Sequence, residues 1–288
     1  MGGMVHVGWI GQGFIGKNYA DHLEETGHAV VRYSLDPEYV GNKDKIHECE
    51  IVFVAVPTPT TPKGFDDSLL RSVIPLTKDG ATVVIKSTIL PGTTEKLQSL
   101  FPTRFVMHAP EFLRESTAAE DVRHPIRNIV GIPKDTPEYR ERAVAVLQLF
   151  APSPYDRVTS AREAELIKYA ANCILYTKTV FVNLLYDLAV SEHADWNEIR
   201  DALKADPRIG PSHLDPVHKS GPTATTVGRG AGGHCFIKDF EALRRMYAEL
   251  GDDKGLAVFN ALVEKNNELL RGSGKDLDLL DGVYGKQG

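Results

Sequence analysis

Short apolar runs alternate with amphipathic helical stretches through the first half of this sequence. These runs, predicted as strands, fall at residues 4–10, 29–34, 51–56, 82–85, 105–107 and 128–131; they are mainly apolar, and the run at 51–56 is continuously so. Helical patterns follow the first of these runs to about residue 26 and recur at 66–77 and 137–150. Continuous apolar runs are typical of strands buried on both faces of a parallel sheet. The alternation therefore predicts an α/β fold, a doubly wound parallel sheet of the Rossmann type, over residues 1–158.

The second half has a helical pattern throughout. Ser160 and Glu163 form a capping box, which begins a helical stretch to about residue 190 without proline or glycine. Further helices are predicted at 196–204, 239–250 and 256–270. Residues 159–272 are thus predicted to form a long connecting helix and a smaller all-helical domain. The Pro-, Ser-, Thr- and Gly-rich stretch 211–228 predicts a mobile surface loop, and 273–288 predicts a flexible tail.

A glycine motif stands where the first predicted strand gives way to a helix. Its glycines are Gly11, Gly13 and Gly16, with Phe14 and Ile15 between the last two. The first glycine allows a tight turn, the second lets a pyrophosphate approach the backbone, and the third allows close packing of helix on strand. Because the helix N-terminus then faces the phosphates, the motif predicts a dinucleotide site.

The end of the second predicted strand bears on the choice of dinucleotide. Asp36 lies about 20 residues beyond the glycines, where an acidic residue hydrogen-bonds the adenosine ribose of NAD. Ser34 competes for that position, and with Arg32 nearby it could accommodate a 2′-phosphate. The sequence favours NAD over NADP and leaves the alternative open.

Composition narrows the class of protein. The 288 residues are 42% hydrophobic and 25% charged with a formal net charge of −6, which is typical of a globular protein and disfavours nucleic acid as the main partner. No apolar stretch approaches the roughly 20 residues of a membrane span, and the N-terminus lacks the pattern of a signal peptide. Three widely separated cysteines predict a reduced, cytoplasmic protein.

One of these cysteines is a candidate nucleophile. Cys235 follows a glycine-rich stretch at a predicted helix start, with Lys238 and Asp239 three and four residues later on the same helix face. A thiol at a helix N-terminus beside a lysine is shifted toward the thiolate. The alternative is a buried structural cysteine. Glu165, Lys168 and Asn172 likewise form a polar stripe on the long helix, for which the alternative is a solvated face.

Several motifs in order resemble the UDP-glucose/GDP-mannose dehydrogenase family. They are the Gly11 loop, Val56-Pro57-Thr58-Pro59, Ser87-Thr88 with Pro91-Gly92-Thr93, residues 110–115, Glu165-x-x-Lys168-x-x-x-Asn172, residues 208–211 and residues 232–239. The resemblance implies an NAD-dependent, four-electron oxidation of a nucleotide-sugar primary alcohol, UDP-glucose-like, to the uronic acid. In such enzymes a cysteine traps the aldehyde as a thiohemiacetal, which is oxidised to a thioester and hydrolysed. The length of the long predicted helix and its apolar residues Ile167, Ala171, Ile174, Phe181 and Leu185 exceed what one small helical domain would bury, so we predict a homodimer built on this helix. No metal, nucleic acid or membrane is expected as a partner.

The resemblance further implies roles for individual residues. Cys235 is the nucleophile, Lys168 and Asn172 stabilise the alkoxide and oxyanion, and Glu111, Thr88 and Asp239 position or activate water. The implied cofactor-binding residues are Gly11, Gly13, Phe14, Ile15, Gly16, Asp36, Pro57, Thr58, Ser87, Thr88 and Glu115. The implied substrate-binding residues are Glu111, Phe112, Leu113, Arg114, Lys168, Arg208, Gly232 and Lys238, with Arg208 reaching into a partner subunit's site.

The sequence also departs from the family pattern. It has no counterpart of the family's C-terminal UDP-binding domain, so a short form is expected, and residues 215–226 form an insertion. Two other functions stay open on the sequence alone. One is a two-electron, NAD(P)-dependent dehydrogenase of a smaller hydroxy acid or sugar, and the other is a non-catalytic NAD-binding subunit.

Overall fold

A computed structural model describes residues 6–286 of the chain. The first two residues of the predicted first strand, Met4 and Val5, and the last two of the predicted tail lie outside the described residues. The chain divides into two compact units. Unit 1 comprises Met1–Thr58 and Asp66–Lys168, and unit 2 comprises Pro59–Phe65 and Tyr169–Gly288. The first unit thus extends beyond the predicted boundary at residue 158, into the long helix.

The strands and helices alternate as predicted in the first half. The strands are β1 (Val7–Ile10), β2 (Val30–Tyr33), β3 (Ile51–Val54), β4 (Thr60–Thr61), β5 (Gly64–Phe65), β6 (Thr82–Ile85), β7 (Phe105–His108), β8 (Asn128–Ile132), β9 (Asp156–Ser160), β10 (Val217–His218) and β11 (Gly228–Arg229). The helices are α1 (Phe14–Glu25), α2 (Ser68–Val73), α3 (Thr93–Leu100), α4 (Ala118–Arg123), α5 (Pro137–Leu147), α6 (Ala161–Ser191), α7 (Trp196–Ala205), α8 (Gly233–Ala248), α9 (Asp253–Ser273) and α10 (Leu277–Tyr284). Short 3-10 helices lie at Val40–Glu48, Ile74–Leu76 and Glu115–Thr117.

Unit 1 is built on a seven-stranded sheet in the order β2-β1-β3-β6-β7-β8-β9. The first five of these strands are parallel, which confirms the predicted α/β fold. One edge departs from the predicted parallel arrangement, because β8 pairs with β7 in the antiparallel direction and β9 runs parallel to β8. The chain after β7 passes into α4, which packs on α1 instead of crossing back over the sheet.

Aromatic rings form the centre of the unit 1 core. The Trp9 ring stacks on Phe53 with centroids 4.5 Å apart, and Phe150 lies 5.7 Å from Phe53. Trp9 and Phe53 come from neighbouring strands in matching register. Both side chains are fully buried, as the continuous apolar runs predicted.

Unit 2 is mainly helical, and its structure corrects two predictions made from the sequence. The predicted flexible tail contains α10, which buries Leu280 and Val283 against Ile237 and Leu270, so the tail prediction is wrong over this helix. The stretch 211–228 is only partly surface loop. It includes β10, which pairs with β11, and Leu214 is buried in a cluster with Trp196. These segments find their apolar partners far away in sequence, which local composition does not reveal.

Helix α6 meets the length and composition of a membrane span, contrary to the sequence expectation. Its most apolar 18-residue window has a mean hydropathy of 1.4 and is 39% buried. Core helices of water-exposed proteins pass the same test, and the first turns of α6 bury the charged residues Glu165 and Lys168. Among the described residues it is the one such helix, and it is weak support for a membrane span.

A buried lysine closes the carboxyl end of β6. The Lys86 amine lies 4.2 Å from the centroid of the Tyr19 ring and 4.6 Å from that of Phe150. Its hydrogen bond to the Pro110 carbonyl is long, at 3.5 Å. Burial lowers the pKa of Lys86 from 10.5 to about 7, with Glu111 opposing that change. The unfolded chain therefore binds a proton here between pH 7 and 10.5 that the folded chain releases, so stability falls as pH falls through this window.

We expect Lys86→Met to remove this pH dependence. From pH 9 to pH 7 the wild type should lose free energy of unfolding relative to the variant, because only the wild type must keep a buried amine uncharged. Urea unfolding at pH 7, 8 and 9 measures the difference, with Lys43→Met, an exposed lysine, as the control. Parallel pH profiles for wild type and Lys86→Met would contradict the assignment.

Candidate active site

The predicted site residues fall into two groups, one in each unit, and the glycine loop of unit 1 begins the first group. Gly11 has a φ of +94°, and its amide donates to the Tyr33 carbonyl at 2.8 Å. A Cβ at Gly11 would overlap the Ala55 carbonyl oxygen, and one at Gly16 would overlap the Gly11 carbonyl oxygen. A Cβ at Gly13, which precedes α1, would have no atom within 4 Å. Gly11 and Gly16 are thus required by packing, while the open side of Gly13 at a helix N-terminus fits a pyrophosphate.

Phe14 and Ile15 occupy the first two positions of α1. Phe14 is partly exposed, with 40% of its surface accessible, and Ile15 packs against the core of unit 1. Their amides belong to the first turn of α1, where backbone donors have no partner within the helix.

The residues at the end of β2 bear on the choice between NAD and NADP that the sequence left open. The Ser34 hydroxyl donates to the Asp36 carboxylate at 2.6 Å, and both residues stand just beyond the strand. Arg32 points to α1 instead, where it pairs with Asp21 and Glu24, each at 2.7 Å. Because two carboxylates already neutralise its guanidinium, Arg32 is disfavoured as a ligand for a 2′-phosphate. The arrangement fits NAD.

Two loops at the carboxyl ends of β3 and β6 are tied together. The Thr58 hydroxyl donates to the Thr88 carbonyl at 2.6 Å, and the Ser87 hydroxyl donates to the Val56 carbonyl at the same distance. Thr58, Ser87 and Thr88 are buried, whereas Pro57, which precedes Thr58, is exposed. Ligands bind at this edge of an open α/β sheet, and the predicted residues line it.

A buried ion pair joins α6 to the loop after β7. The Lys168 amine donates to Glu111 Oε1 at 2.6 Å, with both side chains almost wholly buried. Glu111 Oε2 accepts the Leu113 amide at 2.7 Å. The Phe112 ring lies 5.8 Å from the Lys168 amine and 3.8 Å from the Arg127 guanidinium. The alternative that the polar stripe of α6 is a solvated helix face is therefore wrong for Lys168.

The remaining residues of this loop are bonded within the unit. Arg114 pairs with Asp121 at 2.5 Å, and its amide also donates to the Asp121 carboxylate. Glu115 begins the 3-10 helix that leads into α4. The Leu113 and Arg114 amides therefore have carboxylate partners here, and the Arg114 side chain is exposed.

Glu165 has a structural role that the sequence reasoning missed. It is fully buried, and its carboxylate accepts the amides of Gly92 and Thr94 at 2.6 and 2.8 Å and the Thr94 hydroxyl at 2.5 Å. These donors stand at the N-terminus of α3, where a carboxylate is favoured. Burial raises the pKa of Glu165. The spacing to Lys168 marked it as part of a motif, but its partners lie some 70 residues away in sequence.

The second group lies in unit 2, at the start of α8. The helix begins at Gly233, so Cys235 is in its first turn, and Lys238 and Asp239 follow three and four residues later. Asp239 is fully buried, with Oδ1 accepting Lys238 at 2.5 Å and Oδ2 accepting Asn172 from α6 at 2.6 Å. The predicted shared face of Lys238 and Asp239 is present, and α6 adds the Asn172 amide to it.

The three cysteines differ in their surroundings. All are reduced thiols, with Cys235 half-buried and Cys49 and Cys173 buried. Burial raises the pKa of the Cys173 thiol well above its usual range and that of Cys49 to about 11. Thiols with raised pKa values are poor nucleophiles, so Cys49 and Cys173 are poor candidates, whereas Cys235 lies in the first turn of α8.

Two further predicted substrate residues lie in unit 2. Gly232 precedes α8, and a Cβ there would overlap side chains of Asp276 and Ser220. Arg208 is exposed and pairs with Asp206 at 2.5 Å. Among residues 6–286 no cluster of three His, Cys, Asp or Glu side chains is placed to hold a metal ion.

The glycine loop, the helix N-terminus beyond it and Asp36 at the end of β2 define a dinucleotide-binding unit of the dehydrogenase class. Two family models extend this assignment to both units. The NAD-binding domain of the UDP-glucose/GDP-mannose dehydrogenase family matches residues 39–151, and the central domain of the same family matches 162–268. The chain belongs to this family, and it carries the family's NAD-binding domain.

Individual relatives agree with the family models. The chain is 28% identical over 279 residues to a putative UDP-glucose 6-dehydrogenase of Bacillus subtilis (strain 168), covering 82% of this chain and 61% of that protein. It is 32% identical over 243 residues to a UDP-glucose 6-dehydrogenase of Pseudomonas aeruginosa, covering 77% and 50%. The structure of a UDP-glucose dehydrogenase from the archaeon Pyrobaculum islandicum superposes with a TM-score of 0.76 at 25% identity, covering 93% and 69%. The chain therefore spans between half and two thirds of the length of these two sequence relatives.

We expect Glu165→Gln to lower the free energy of unfolding by about 2–3 kcal/mol, because an amide NH2 would face backbone donors that now bond a carboxylate. Urea unfolding at pH 7 measures the loss. Glu141→Gln, an exposed glutamate on α5, is the control and should change stability little. Equal stability of Glu165→Gln and wild type would contradict the capping role.

Proposed function

We propose that this chain is an NAD-dependent nucleotide-sugar 6-dehydrogenase that oxidises a UDP-glucose-like primary alcohol to the uronic acid. Family membership supports the substrate class, since the named relatives above are UDP-glucose dehydrogenases. The observation that carries the mechanism is the start of α8, where Cys235 shares a helix face with a buried carboxylate that holds an amine and an amide. A cytoplasmic location stays a prediction.

The glycine loop and its surroundings would bind the cofactor. Gly11 and Gly13 would hold the pyrophosphate at the N-terminus of α1, and Asp36 would accept the adenosine ribose hydroxyl. Pro57, Thr58, Ser87, Thr88 and Glu115 would line the rest of the site at the carboxyl ends of the strands. When bound, NAD accepts a hydride from the substrate in each of two successive oxidations.

Cys235 would divide the aldehyde oxidation into two easier steps. The first oxidation yields the aldehyde, and the Cys235 thiolate adds to its carbonyl carbon to form a thiohemiacetal. The second oxidation yields a thioester, and water then cleaves the carbon–sulfur bond, releasing the acid and the thiol. The electrons of both oxidations go to NAD, so two NADH form for each acid.

Lys168 and Asn172 would stabilise the negative charge that develops on the reacting oxygen. They stand four residues apart on α6, and an ammonium and an amide are suitable donors to an alkoxide or oxyanion. Glu111 would act on water as a base and Thr88 and Asp239 would position it. The backbone at Phe112, Leu113 and Arg114, with Gly232, Lys238 and Arg208, would bind the substrate.

We expect the wild type to release two NADH per nucleotide sugar and to form an acid. Cys235→Ala should lose acid formation by on the order of a thousandfold or more, because no thiohemiacetal can form. Cys235→Ser should accumulate an ester adduct, visible by intact-mass spectrometry, since an ester hydrolyses more slowly than a thioester. NADH yield and acid formation with a panel of UDP- and GDP-sugars measure both, and Cys173→Ala, another thiol removed outside α8, is the control.

The same experiment distinguishes the alternatives. One NADH per substrate and full activity of Cys235→Ala would indicate a two-electron dehydrogenase. Binding of NAD without turnover of any sugar nucleotide would indicate a non-catalytic subunit. Unchanged acid formation in Cys235→Ala would overturn the covalent mechanism whatever the substrate.

The exposed face of α6 supports a homodimer. Ile174, Phe181, Leu184 and Leu188 are 41–67% exposed and recur at spacings of seven, three and four, so they form one apolar stripe. Exposed stripes of this kind mark protein interfaces. Of the residues that the sequence assigned to this interface, Ile174 and Phe181 are exposed, whereas Ile167, Ala171 and Leu185 are half-buried within the chain.

We expect Phe181→Glu to convert a dimer into a monomer at micromolar concentration, because it places a charge in the centre of the stripe. Sedimentation velocity measures the mass. Leu250→Glu changes an apolar residue that is 72% exposed outside α6 and should leave the mass unchanged. A monomeric wild type would contradict the predicted dimer.

A further inference from the structure

The glycine-rich block that precedes Cys235, residues 228–233, is bonded by the segment that follows α9. The Lys275 amine donates to the Gly230 carbonyl at 2.9 Å. Asp276 Oδ2 accepts the Gly233 amide at 2.8 Å. Two adjacent residues thus bond the block at two points, and the second point is the first residue of α8.

Lys275 is fully buried, which is unusual for a lysine. Besides Gly230 it contacts His218 Nε2 at 3.1 Å, and His218 Nδ1 lies 2.8 Å from the Asp215 carbonyl. Nδ1 therefore carries the proton of a neutral ring, and Nε2 accepts from Lys275. Burial lowers the pKa of Lys275 to about 8, and burial together with the Lys275 charge lowers the pKa of His218 to about 4. At neutral pH the lysine is a charged donor and the histidine a neutral acceptor.

The glycines of the block are packed against this same segment. A Cβ at Gly228 would lie 2.6 Å from Ser273 Oγ and 2.9 Å from Lys275 Cβ. A Cβ at Gly232 would overlap the Asp276 carboxylate. The absence of a Cβ at Gly228 and Gly232 therefore lets the segment after α9 pack directly against the backbone of the block.

The Asp276 carboxylate also lies at the N-terminus of α8. It is bonded to Gly233, the first residue of the helix, and Cys235 is the third. The Ser220 hydroxyl donates to the same carboxylate oxygen and fixes it in place. A helix N-terminus favours one anion nearby, so a fixed carboxylate there opposes the formation of a second anion, the thiolate.

We propose that Lys275 and Asp276, the Lys275–Asp276 clamp, are positioning residues for Cys235, with Lys275 holding the block and Asp276 keeping the resting thiol protonated. The proposal rests on the nucleophilic role proposed for Cys235. The clamp is a feature of the end of the described chain and comes from the segment that the sequence predicted to be a flexible tail.

The charge of Asp276 is tested by the pH dependence of Cys235 alkylation. Iodoacetamide is reacted with the full chain, and modification is followed at the Cys235 peptide by mass spectrometry. Asp276→Asn keeps an oxygen that can accept the Gly233 amide and removes the charge. It should shift the profile to lower pH and raise the rate at pH 7 about threefold, roughly half a pKa unit. Asp278→Asn removes the same charge from an exposed position two residues away and should match the wild type. Superimposable profiles for Asp276→Asn and wild type would overturn the proposal.

Hydrogen exchange tests whether Lys275 stabilises the backbone of the glycine-rich block. In Lys275→Met the amides of residues 229–233 should exchange about tenfold faster, while those of α7 stay unchanged. Lys265→Met removes an amine that bonds Glu268 on α9 and should leave the block as in the wild type. Unchanged exchange in the block would overturn the proposal. If α7 also exchanges faster in Lys275→Met, the Asp276→Asn profile decides alone.

Neither measurement requires enzyme turnover, so the role of the clamp and the proposed function can be refuted independently of each other. A wild type that forms no acid would refute the function and leave the alkylation and exchange results to decide the clamp. If the wild type is active, Lys275→Met should lower kcat more than it raises KM, because it displaces the nucleophile and leaves the sugar contacts intact. An unchanged kcat in a variant with faster exchange would overturn the positioning role.

Discussion

Buried charge in the first turns of α6 constrains much of unit 1. Glu165 and Lys168 are almost wholly inaccessible to water, and an unpaired buried charge would cost several kcal/mol. Each therefore requires a partner of matching chemistry at a fixed place. Glu165 finds it in the amides at the N-terminus of α3, and Lys168 finds it in Glu111. The loops after β6 and β7 are thereby held by one helix, and these loops carry residues assigned to cofactor and substrate.

Long-range order of this kind explains what the sequence could and could not predict about the fold. The strands of unit 1 were predictable because Ile51–Val54 is wholly apolar and Thr82–Ile85 is apolar after its first residue, and such runs are stable chiefly inside a sheet. The start of α6 was predictable because Ser160 and Glu163 bond each other's backbone amides locally. Helix α10 was not, because Leu280 and Val283 are apolar positions whose partners, such as Leu270, are set by tertiary packing. The reversed direction of β8 leaves no mark in a strand's own composition.

The candidate site likewise has features that local spacing predicts and features that only tertiary packing determines. The spacing of Cys235, Lys238 and Asp239 predicted their common helix face, since three and four residues make one turn. The bond from Asn172 to Asp239 depends on how α6 and α8 pack within unit 2, which no local pattern contains. Arg32 is a similar case. Its nearness to Ser34 suggested a phosphate ligand, but its strand position directs the side chain to Asp21 and Glu24 on α1.

That arrangement of Arg32 has a consequence for anyone who wishes to change the coenzyme preference of this protein. Replacing Asp36 alone would remove an acceptor without supplying a cation, because the Arg32 guanidinium is already neutralised by Asp21 and Glu24 of α1. Freeing Arg32 for a phosphate would require substitution of Asp21 and Glu24 as well. In the absence of the phosphate, those substitutions would leave a nearly buried arginine without an ion-pair partner. Coenzyme preference and the attachment of α1 to the sheet are therefore coupled traits, and a redesign would have to introduce its new positive charge elsewhere.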